Sequence, residues 1–319
     1  MEPILKVRDL IVEYAVREGI LQVVSKASLD ALEGQITALV GESGCGKTTL
    51  IDGIMGTLPP NGYVRGGQVF FKDIDLLRLS ERERQKIRWE KIAMVFQAAQ
   101  NSLNPVLRVA DHFIETVEAH KRGLSKKEIL EKASELLRKA RLDPEVVLRS
   151  YPHELSGGMK QRVIIALSLI LDPEFLILDE PTSALDIYTQ SVIIDLLRAI
   201  HKEKNLSMLL VTHDLSIVAE LAHRAAVMYA GKIIEVTDVR SLFHNPKHPY
   251  TKGLIGAIPS LIEDLSHKKP IPGNPPSLLN PPPGCRFHPR CPYATDKCKK
   301  EEPPLVKVNG GLVACWLYE

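Results

Sequence analysis

The sequence lacks a large excess of either charge, an apolar run long enough to cross a membrane, and an N-terminal signal. Its 319 residues include 41 basic and 39 acidic side chains, giving a formal net charge of +2. Such a balance creates no overall field that would favour nucleic acid or an anionic membrane as a partner. The longest apolar run lies near residues 163–171, whereas a membrane span needs about 20 apolar residues. Met1–Leu10 has no apolar core of the kind that a secretory signal requires. We therefore expect a soluble chain whose membrane role, if any, depends on partner subunits.

Internal repeats are also absent, and the composition changes sharply only once. The length suggests either one large domain with an extension or two domains, and a hydrophobic content of 45% is enough for a sizeable core. After Pro246, prolines become so frequent that neither a continuous helix nor a central strand can form. We expect an irregular C-terminal extension there.

Regular secondary structure is predicted through most of the preceding chain. Alternating apolar and polar residues over 4–14 and 24–32 predict strands with one solvated face. Ser125 and Glu128 have the spacing of a capping box and begin an amphipathic helix. The continuous apolar stretches 175–178 and 209–211 are typical of central parallel strands.

A glycine-rich loop follows the predicted strand 35–40 and precedes a predicted helix over 49–55. Gly41, Gly46, Lys47 and Thr48 have the spacing of the phosphate-binding loop of nucleoside triphosphatases. In that loop, backbone N–H groups surround phosphate oxygens, the lysine reaches the β- and γ-phosphates, and the threonine ligates Mg²⁺. A simple glycine-rich turn is the alternative, but the strand and helix on either side favour nucleotide binding. The predicted nucleotide contacts from this loop are Gly41, Ser43, Gly44, Cys45, Gly46, Lys47, Thr48 and Thr49.

Two carboxylates end the predicted strand 175–178. Asp179 is expected near the metal, and Glu180 is expected to accept a proton from the attacking water. A pair of acids after a strand is by itself more often a solvated strand end. The phosphate-binding loop earlier in the chain favours the catalytic interpretation.

A second candidate anion site opens the helix that follows Leu155. Ser156, Gly157 and Gly158 supply a helix N-terminus with a small, polar beginning. One nucleotide does not need two phosphate sites from the same chain, but two chains arranged head to tail would use both. We therefore expect Ser156 and Gly158 to contact ATP that is bound to a second subunit.

These motifs, in this order, closely resemble the nucleotide-binding subunits of ABC transporters over about residues 4–255. The resemblance implies that Gln97 contacts the metal and the attacking water and that His213 contacts the γ-phosphate. It also implies that Tyr14 stacks on adenine and that Ser183–Asp186 form the loop after the catalytic glutamate. The expected Mg²⁺ ligands are then Thr48, Gln97 and Asp179.

The resemblance implies an α/β fold. A P-loop nucleoside triphosphatase core should carry an antiparallel β subdomain on its N-terminal side and an inserted helical subdomain at about residues 98–160. The predicted ATPase domain spans residues 1–255, and the proline- and cysteine-rich extension spans residues 256–319. Such a chain is an ATP hydrolase.

A narrower resemblance links the chain to the oligopeptide and dipeptide importer branch of this family. It rests on residues 102–105, residues 245–251 and the proline-rich tail with cysteines. It implies a peripheral protein on the cytoplasmic face of the membrane, paired with a second, similar ATPase subunit and two permease subunits, with an extracellular solute-binding protein as an indirect partner. Nickel and oligosaccharides are alternative solutes within the branch. A soluble ABC ATPase and a module that binds nucleotide without hydrolysing it are rival functions, and no nucleic-acid partner is expected.

Four of the five cysteines lie in the last 35 residues of the chain. Thiolates suit zinc or an iron–sulfur cluster, and a metal would make a tail with little apolar core more rigid. The spacing lacks the paired pattern of most zinc modules, and the resemblance favours a four-iron cluster over Zn²⁺. Four reduced thiols in a loose tail are the remaining alternative. The candidate ligands are Cys285, Cys291, Cys298 and Cys315.

Overall fold

The computed structural model describes residues 2–120, 123–257 and 271–319. These residues form two compact units. The first takes in the described residues of Met1–Leu32, Ile36–Arg78 and Val211–Glu319, and the second consists of Glu33–Gln35 and Leu79–Leu210.

A four-stranded antiparallel sheet occupies the N-terminal part of the first unit. Strand β1 pairs with β2 on one side and β4 on the other, and β5 extends the edge. Along β1, Leu5, Val7, Leu10 and Val12 are buried, as expected for a strand with one face on the core. The strands are β1 (Pro3–Val16), β2 (Gly19–Leu32), β4 (Gly62–Phe71) and β5 (Ile74–Asp75).

The first unit also contains strands from a second sheet. All five residues of β3 are buried, which explains its continuous apolar sequence, and β3 pairs in parallel with β9. Strands β9, β10 and β12 are successive antiparallel neighbours, and β11 lies outside β12. The bounds are β3 (Ile36–Val40), β9 (Arg224–Tyr229), β10 (Lys232–Asp238), β11 (Val306–Val308) and β12 (Gly311–Val313).

Short helices pack against these strands around an aromatic core. Tyr229, Tyr250 and Phe287 are buried together, with ring centroids 4.6–5.6 Å apart. Such pairs stabilise a core beyond the area they bury. The helices of this unit are α1 (Lys47–Met55), α8 (Leu215–Leu221), α9 (Val239–His244), α10 (Pro249–Gly256) and α11 (Asp296–Lys300).

The second unit combines parallel strands with most of the helices. Strands β6 and β7 are parallel neighbours, and all of their residues are buried. Ser125 begins α4 with the predicted capping box, so that prediction is confirmed. The strands are β6 (Ile92–Val95), β7 (Phe175–Asp179) and β8 (Ser207–Thr212), whose last two residues fall in the first unit. The helices are α2 (Glu81–Ile87), α3 (Val109–His120), α4 (Lys126–Lys139), α5 (Pro144–Val147), α6 (Gly157–Ser168) and α7 (Ile187–Lys204).

The prediction of a wholly irregular extension is wrong. Strands β11 and β12 form a hairpin, and β12 pairs with β10 through Glu235 and Val236. Phe287 supplies an apolar anchor and is 2% exposed. The high proline frequency of the extension as a whole does not apply to segment 306–313, which contains no proline and can therefore form a hairpin. Part of the predicted extension, residues 258–270, lies outside the described residues.

The compact units do not follow the predicted domain bounds. Residues 271–319 belong to the same unit as the N-terminal sheet, and the second unit is larger than the predicted helical insertion at 98–160. The boundary at residues 255 and 256 therefore stays a prediction. Within the described parts of the chain, no helix is long and apolar enough to cross a membrane.

Candidate functional site

The glycine-rich loop connects β3 to α1 in the first unit. Gly46 precedes the helix with a φ of 105°, in the left-handed region that favours glycine. A Cβ at Gly41 would lie 2.2 Å from the carbonyl oxygen of Met228, so no larger residue fits there without a backbone shift. The loop geometry therefore requires at least two of the glycines of the predicted motif.

Lys47 is folded into this loop. Its Nζ donates hydrogen bonds to the carbonyl oxygens of Gly41, at 2.8 Å, and Glu42, at 3.1 Å. The Cys45 thiol lies 3.9 Å from the same Nζ and is buried. Burial raises the pKa of Cys45 above its ordinary value, although Lys47 works in the opposite direction. Cys45 is thus a neutral packing residue whose contribution to a nucleotide would come from its backbone.

The start of α1 fits an anionic ligand. Its N-cap residue, Gly46, has no side chain to accept a hydrogen bond, and its first turn contains no acidic residue. By contrast, the N-cap side chains of Ser125, Ser156 and Asp186 each accept a backbone N–H. The first N–H groups of a helix need acceptors, and phosphate oxygens supply them.

Tyr14 lies beside the same loop. Its hydroxyl donates to Thr49 Oγ1 at 3.3 Å, and its ring passes over Gly62, where a Cβ would lie 2.8 Å from Tyr14 Cε1. The ring is half-buried. The predicted adenine-stacking residue thus lies in contact with α1, within the same unit as Lys47.

An ion pair from the extension reaches the loop, and sequence reasoning missed it. Arg290 donates to both carboxylate oxygens of Glu42, at 2.9 and 3.2 Å. The backbone N–H of Glu42 donates to the Tyr250 hydroxyl at 2.9 Å. Glu42 is more than 200 positions away from both Arg290 and Tyr250 in sequence, so no local motif could have indicated the contacts.

The predicted catalytic acid and the predicted glutamine meet in the second unit. Gln97 follows β6, Glu180 follows β7, and these strands are parallel neighbours whose carboxyl ends share one edge. Gln97 Nε2 donates to Glu180 Oε2 at 3.1 Å. Asp179 is the last residue of β7 and is 1% exposed. The ends of β6 and β7 therefore place the Gln97 amide beside the Glu180 carboxylate. The buried carboxylate of Asp179 comes immediately before Glu180 in the chain.

The second candidate anion site opens α6. Ser156 is the N-cap, and its Oγ accepts from the N–H of Met159 at 3.3 Å. Ser156 is exposed, whereas a Cβ at Gly158 would lie 2.4 Å from Thr189 Cγ2. The glycine thus permits close packing of α6 on α7, and the serine faces outward.

The other predicted residues take their positions from strand and helix ends. His213 is exposed and directly follows β8. Asp186 caps α7 by accepting from the N–H of Thr189 at 2.9 Å. Of the predicted Mg²⁺ ligands, Thr48 belongs to the first unit, and Gln97 and Asp179 belong to the second. A hydroxyl, an amide and a carboxylate are chemically suited to Mg²⁺.

Four cysteines of the extension line one cavity of about 140 Å³ in the first unit. All four are free thiols. Burial raises the pKa of Cys285 to about 11, and the neighbouring thiols add to the shift. Among the residues that the structure describes, no group of three or more His, Cys, Asp or Glu side chains is arranged to hold a metal ion. The lining cysteines are Cys285, Cys291, Cys298 and Cys315.

Comparison with known families decides the assignment. The model of the ABC transporter family matches residues 24–183. This chain belongs to the ABC transporter family of ATP-binding proteins. A model of the C-terminal region of oligopeptide/dipeptide transporters also matches residues 234–298, which include three of the four clustered cysteines.

Relatives of this ABC protein match it along its full length. It is 55% identical over 320 residues to a dipeptide transport ATP-binding protein, DppD, of Caldanaerobacter subterraneus subsp. tengcongensis, covering 100% of this chain and 98% of the relative. It is 41% identical over 315 residues to an oligopeptide transport ATP-binding protein, OppD, of Salmonella typhimurium, covering 98% and 93%.

Solved structures agree with the family assignment. A dimeric ATP-binding cassette in a post-hydrolysis state with ADP and phosphate bound is 29% identical and superposes with a TM-score of 0.67, covering 74% of this chain and 99% of that one. An ABC transporter component of Clostridium perfringens, cbiO1, is 29% identical with a TM-score of 0.65, covering 77% and 92%. The chain has the mixed α/β fold of an ABC ATPase and is an ATP hydrolase.

Proposed function

We propose that this ABC ATPase powers the uptake of peptides or related small solutes through partner membrane subunits. The contact between Gln97 and Glu180 carries the catalytic part, because it holds a carboxylate and an amide where two parallel strands end. The choice of peptides is supported by full-length similarity to dipeptide and oligopeptide transport proteins. Oligosaccharides and nickel are the alternative solutes, and a soluble ABC ATPase is the rival function.

The nucleotide-binding roles fall on the first unit. Tyr14 stacks on the adenine, and the backbone N–H groups of the loop surround the phosphates. Lys47 turns from the carbonyl oxygens of Gly41 and Glu42 toward the β- and γ-phosphates. Thr48 of the first unit and Gln97 and Asp179 of the second would hold Mg²⁺, which would neutralise charge on the transferring phosphoryl group. The other proposed loop contacts are Gly41, Ser43, Gly44, Cys45, Gly46 and Thr49.

The hydrolytic roles fall on residues that follow β6, β7 and β8. Glu180 accepts the proton of the attacking water, and Gln97 orients that water through its amide. His213 contacts the γ-phosphate and helps to stabilise the charge that develops on it. Ser156 and Gly158 act on ATP bound to a second ATPase subunit, which makes each site a product of two chains.

The proposed assembly contains this chain, a second and similar ATPase subunit, and two permease subunits, with a solute-binding protein outside the membrane. The chain would lie on the cytoplasmic face. The antiparallel β subdomain, the helical insertion at residues 98–160 and the domain boundary at residue 255 belong to the same proposal.

Tagged protein purified from membranes should therefore carry two integral membrane subunits, and the reconstituted complex should hydrolyse ATP faster when peptide and its binding protein are present. Lys47→Ala is the control: it should keep the assembly and lose ATP turnover. Isolation of the chain with ribosomes or DNA instead would favour the soluble rival.

We also propose a metal site at the four clustered cysteines, with a four-iron cluster favoured over Zn²⁺. The shared cavity supports the proposal because it brings thiols from positions 285, 291, 298 and 315 to one place. Thiolates are the ligands of both iron–sulfur clusters and structural zinc.

Elemental analysis of anaerobically purified protein tests the site. A cluster predicts about four irons per chain and visible absorption that disappears when any one of the four is changed to serine. Cys45→Ser is the matched control and should retain the metal, because Cys45 lies in the phosphate-binding loop. A measurement of one zinc and no iron per chain would favour a Zn²⁺ site over the iron–sulfur cluster. A measurement of no metal would favour four reduced thiols.

A further inference from the structure

Glu42 places a carboxylate in the phosphate-binding loop, a segment that is proposed to bind a polyanion. Its side chain is 27% exposed, so water screens it only partly. Its own carbonyl oxygen accepts a hydrogen bond from Lys47, the residue expected to reach the phosphates. A negative charge at this position works against ATP unless another group neutralises it.

Arg290 supplies that neutralising charge from the extension. The guanidinium forms a two-pronged ion pair with Glu42, and only 6% of the arginine side chain is exposed. A guanidinium group stays charged in proteins, so Arg290 is a permanently charged partner, and paired geometry of this kind gives direction as well as attraction.

The rest of the arginine is fixed to the extension and the core. Its Nε donates to the carbonyl oxygen of Pro272 at 2.8 Å, and Nη1 lies 3.3 Å from the Tyr229 hydroxyl. Tyr250 holds the other end of the contact, since its hydroxyl accepts from the N–H of Glu42. Glu42 is thus held from two sides, its backbone by Tyr250 and its carboxylate by Arg290 of the extension.

We propose that Arg290 is a positioning residue for ATP binding: it holds and neutralises Glu42, so that the C-terminal extension sets the nucleotide affinity of the phosphate-binding loop. The proposal rests on the proposed ATP-binding role of that loop. Loss of the Arg290 charge leaves the Glu42 carboxylate unpaired beside the phosphates. Loss of the Glu42 charge in the same molecule should then restore binding, and a loss in Arg290→Gln that is larger for ATP than for ADP separates a charge effect from a merely structural role.

Equilibrium binding of fluorescent ATP and ADP to purified protein tests this. Arg290→Gln should weaken ATP binding about tenfold, and the loss should be smaller for ADP, which carries less charge. The double variant Arg290→Gln with Glu42→Gln should bind ATP within about threefold of wild type, and Glu42→Gln alone should bind no more weakly than wild type. Normal affinity in Arg290→Gln, or a double variant as weak as the single one, would overturn the proposal.

Two controls separate this result from other failures. Wild-type protein that binds ATP no better than Lys47→Ala would contradict the proposed function itself, whatever Arg290 does. Arg290→Lys provides the test if Arg290→Gln does not fold, because it keeps the charge but loses the two-pronged geometry. It should bind ATP about threefold more weakly than wild type, with recovery on adding Glu42→Gln, and unchanged affinity would count against the proposal.

Discussion

The side chains of Gln97 and Glu180 owe their contact to two neighbouring strand ends. Glu180 adopts a φ of 48°, so the chain turns sharply as it leaves β7. This left-handed conformation is uncommon for residues other than glycine and is concentrated at functional sites. The turn directs the carboxylate toward Gln97. Asp179 stays buried at the strand end, which gives the two adjacent acids different environments and supports their different proposed roles.

Replacement of Glu180 by glutamine should separate binding from chemistry. Glutamine has the same shape but cannot accept the proton of the attacking water, so steady-state turnover should fall at least about a hundredfold. ATP affinity should stay close to that of wild type, and an ATP-bound dimer should accumulate. Glu174→Gln is a matched control, since Glu174 pairs with Lys91 at the other end of β7. Near-normal hydrolysis by Glu180→Gln would remove Glu180 as the base.

A functional residue can be predicted from the sequence when the residues that act with it lie close to it along the chain. Lys47, Asp179 and Glu180 were identified because their motifs are local and follow directly from a strand. Arg290 was not, because a single arginine in a proline-rich tail gives no sign that it pairs with Glu42, 248 positions away. The order of elements in the fold brings such residues together, and no spacing rule encodes that order.

Helix α6 illustrates how close packing and a predicted anion site share the same residues. Gly158 has almost no room for a side chain because Thr189 of α7 lies against it. Thr189 is itself fixed, since its hydroxyl donates to Asp186 at 2.7 Å. Gly158, the second residue of α6, therefore has a packing role in addition to any contact with phosphate.

The packing role can be measured through stability. Gly158→Ala should lower the free energy of unfolding by about 1–3 kcal/mol, the usual cost of overpacking. Thr189→Ser removes the obstructing methyl group and keeps the hydroxyl that bonds to Asp186, so the double variant should regain most of the loss. Denaturant unfolding of both single variants and the double variant provides the comparison. Additive losses in the double variant would contradict this account of the contact.

Asp172 connects two helices in the second unit. Its carboxylate forms ion pairs with Lys132 of α4 and Lys204 of α7, and its own backbone is left-handed with a φ of 53°. Burial tends to raise the pKa of Asp172, but hydrogen bonds from both lysines outweigh it and lower the pKa. The ionised form is therefore favoured by folding.

Asp172→Asn should lower stability by about 1 kcal/mol at neutral pH, because asparagine tolerates the left-handed backbone but carries no charge. A lowered folded-state pKa contributes stability above the ordinary aspartate pKa of about 3.9, and this contribution is lost as pH falls through the folded-state value. The difference between wild type and variant should thus be full at neutral pH and vanish in acid. Unfolding curves across that range would show it, and a difference independent of pH would contradict the ion-pair explanation.

Along the whole chain, the first unit joins residues from both ends of the sequence. The N-terminal sheet, the phosphate-binding loop and the extension share this unit. The hydroxyl of Tyr318 donates to the carbonyl oxygen of Lys247 at 3.0 Å, close to the point where the extension begins. Composition predicts an irregular extension, because frequent prolines exclude continuous regular structure and composition does not reveal apolar anchors such as Phe287.

The central claim is that each ATP site is built from two chains, and a mixing experiment tests it most directly. Lys47→Ala disables one loop, and Ser156→Arg blocks the α6 end that would act on the partner's nucleotide. The test uses dimers that this chain forms with itself, without the second ATPase subunit of the proposed assembly, and in these dimers each variant alone should be inactive. In a random mixture, half of the dimers contain both variants, and each of these retains one intact site of two. ATP hydrolysis should then recover to about a quarter of the wild-type rate. Activity equal to the sum of the two inactive parents would contradict a site shared between chains.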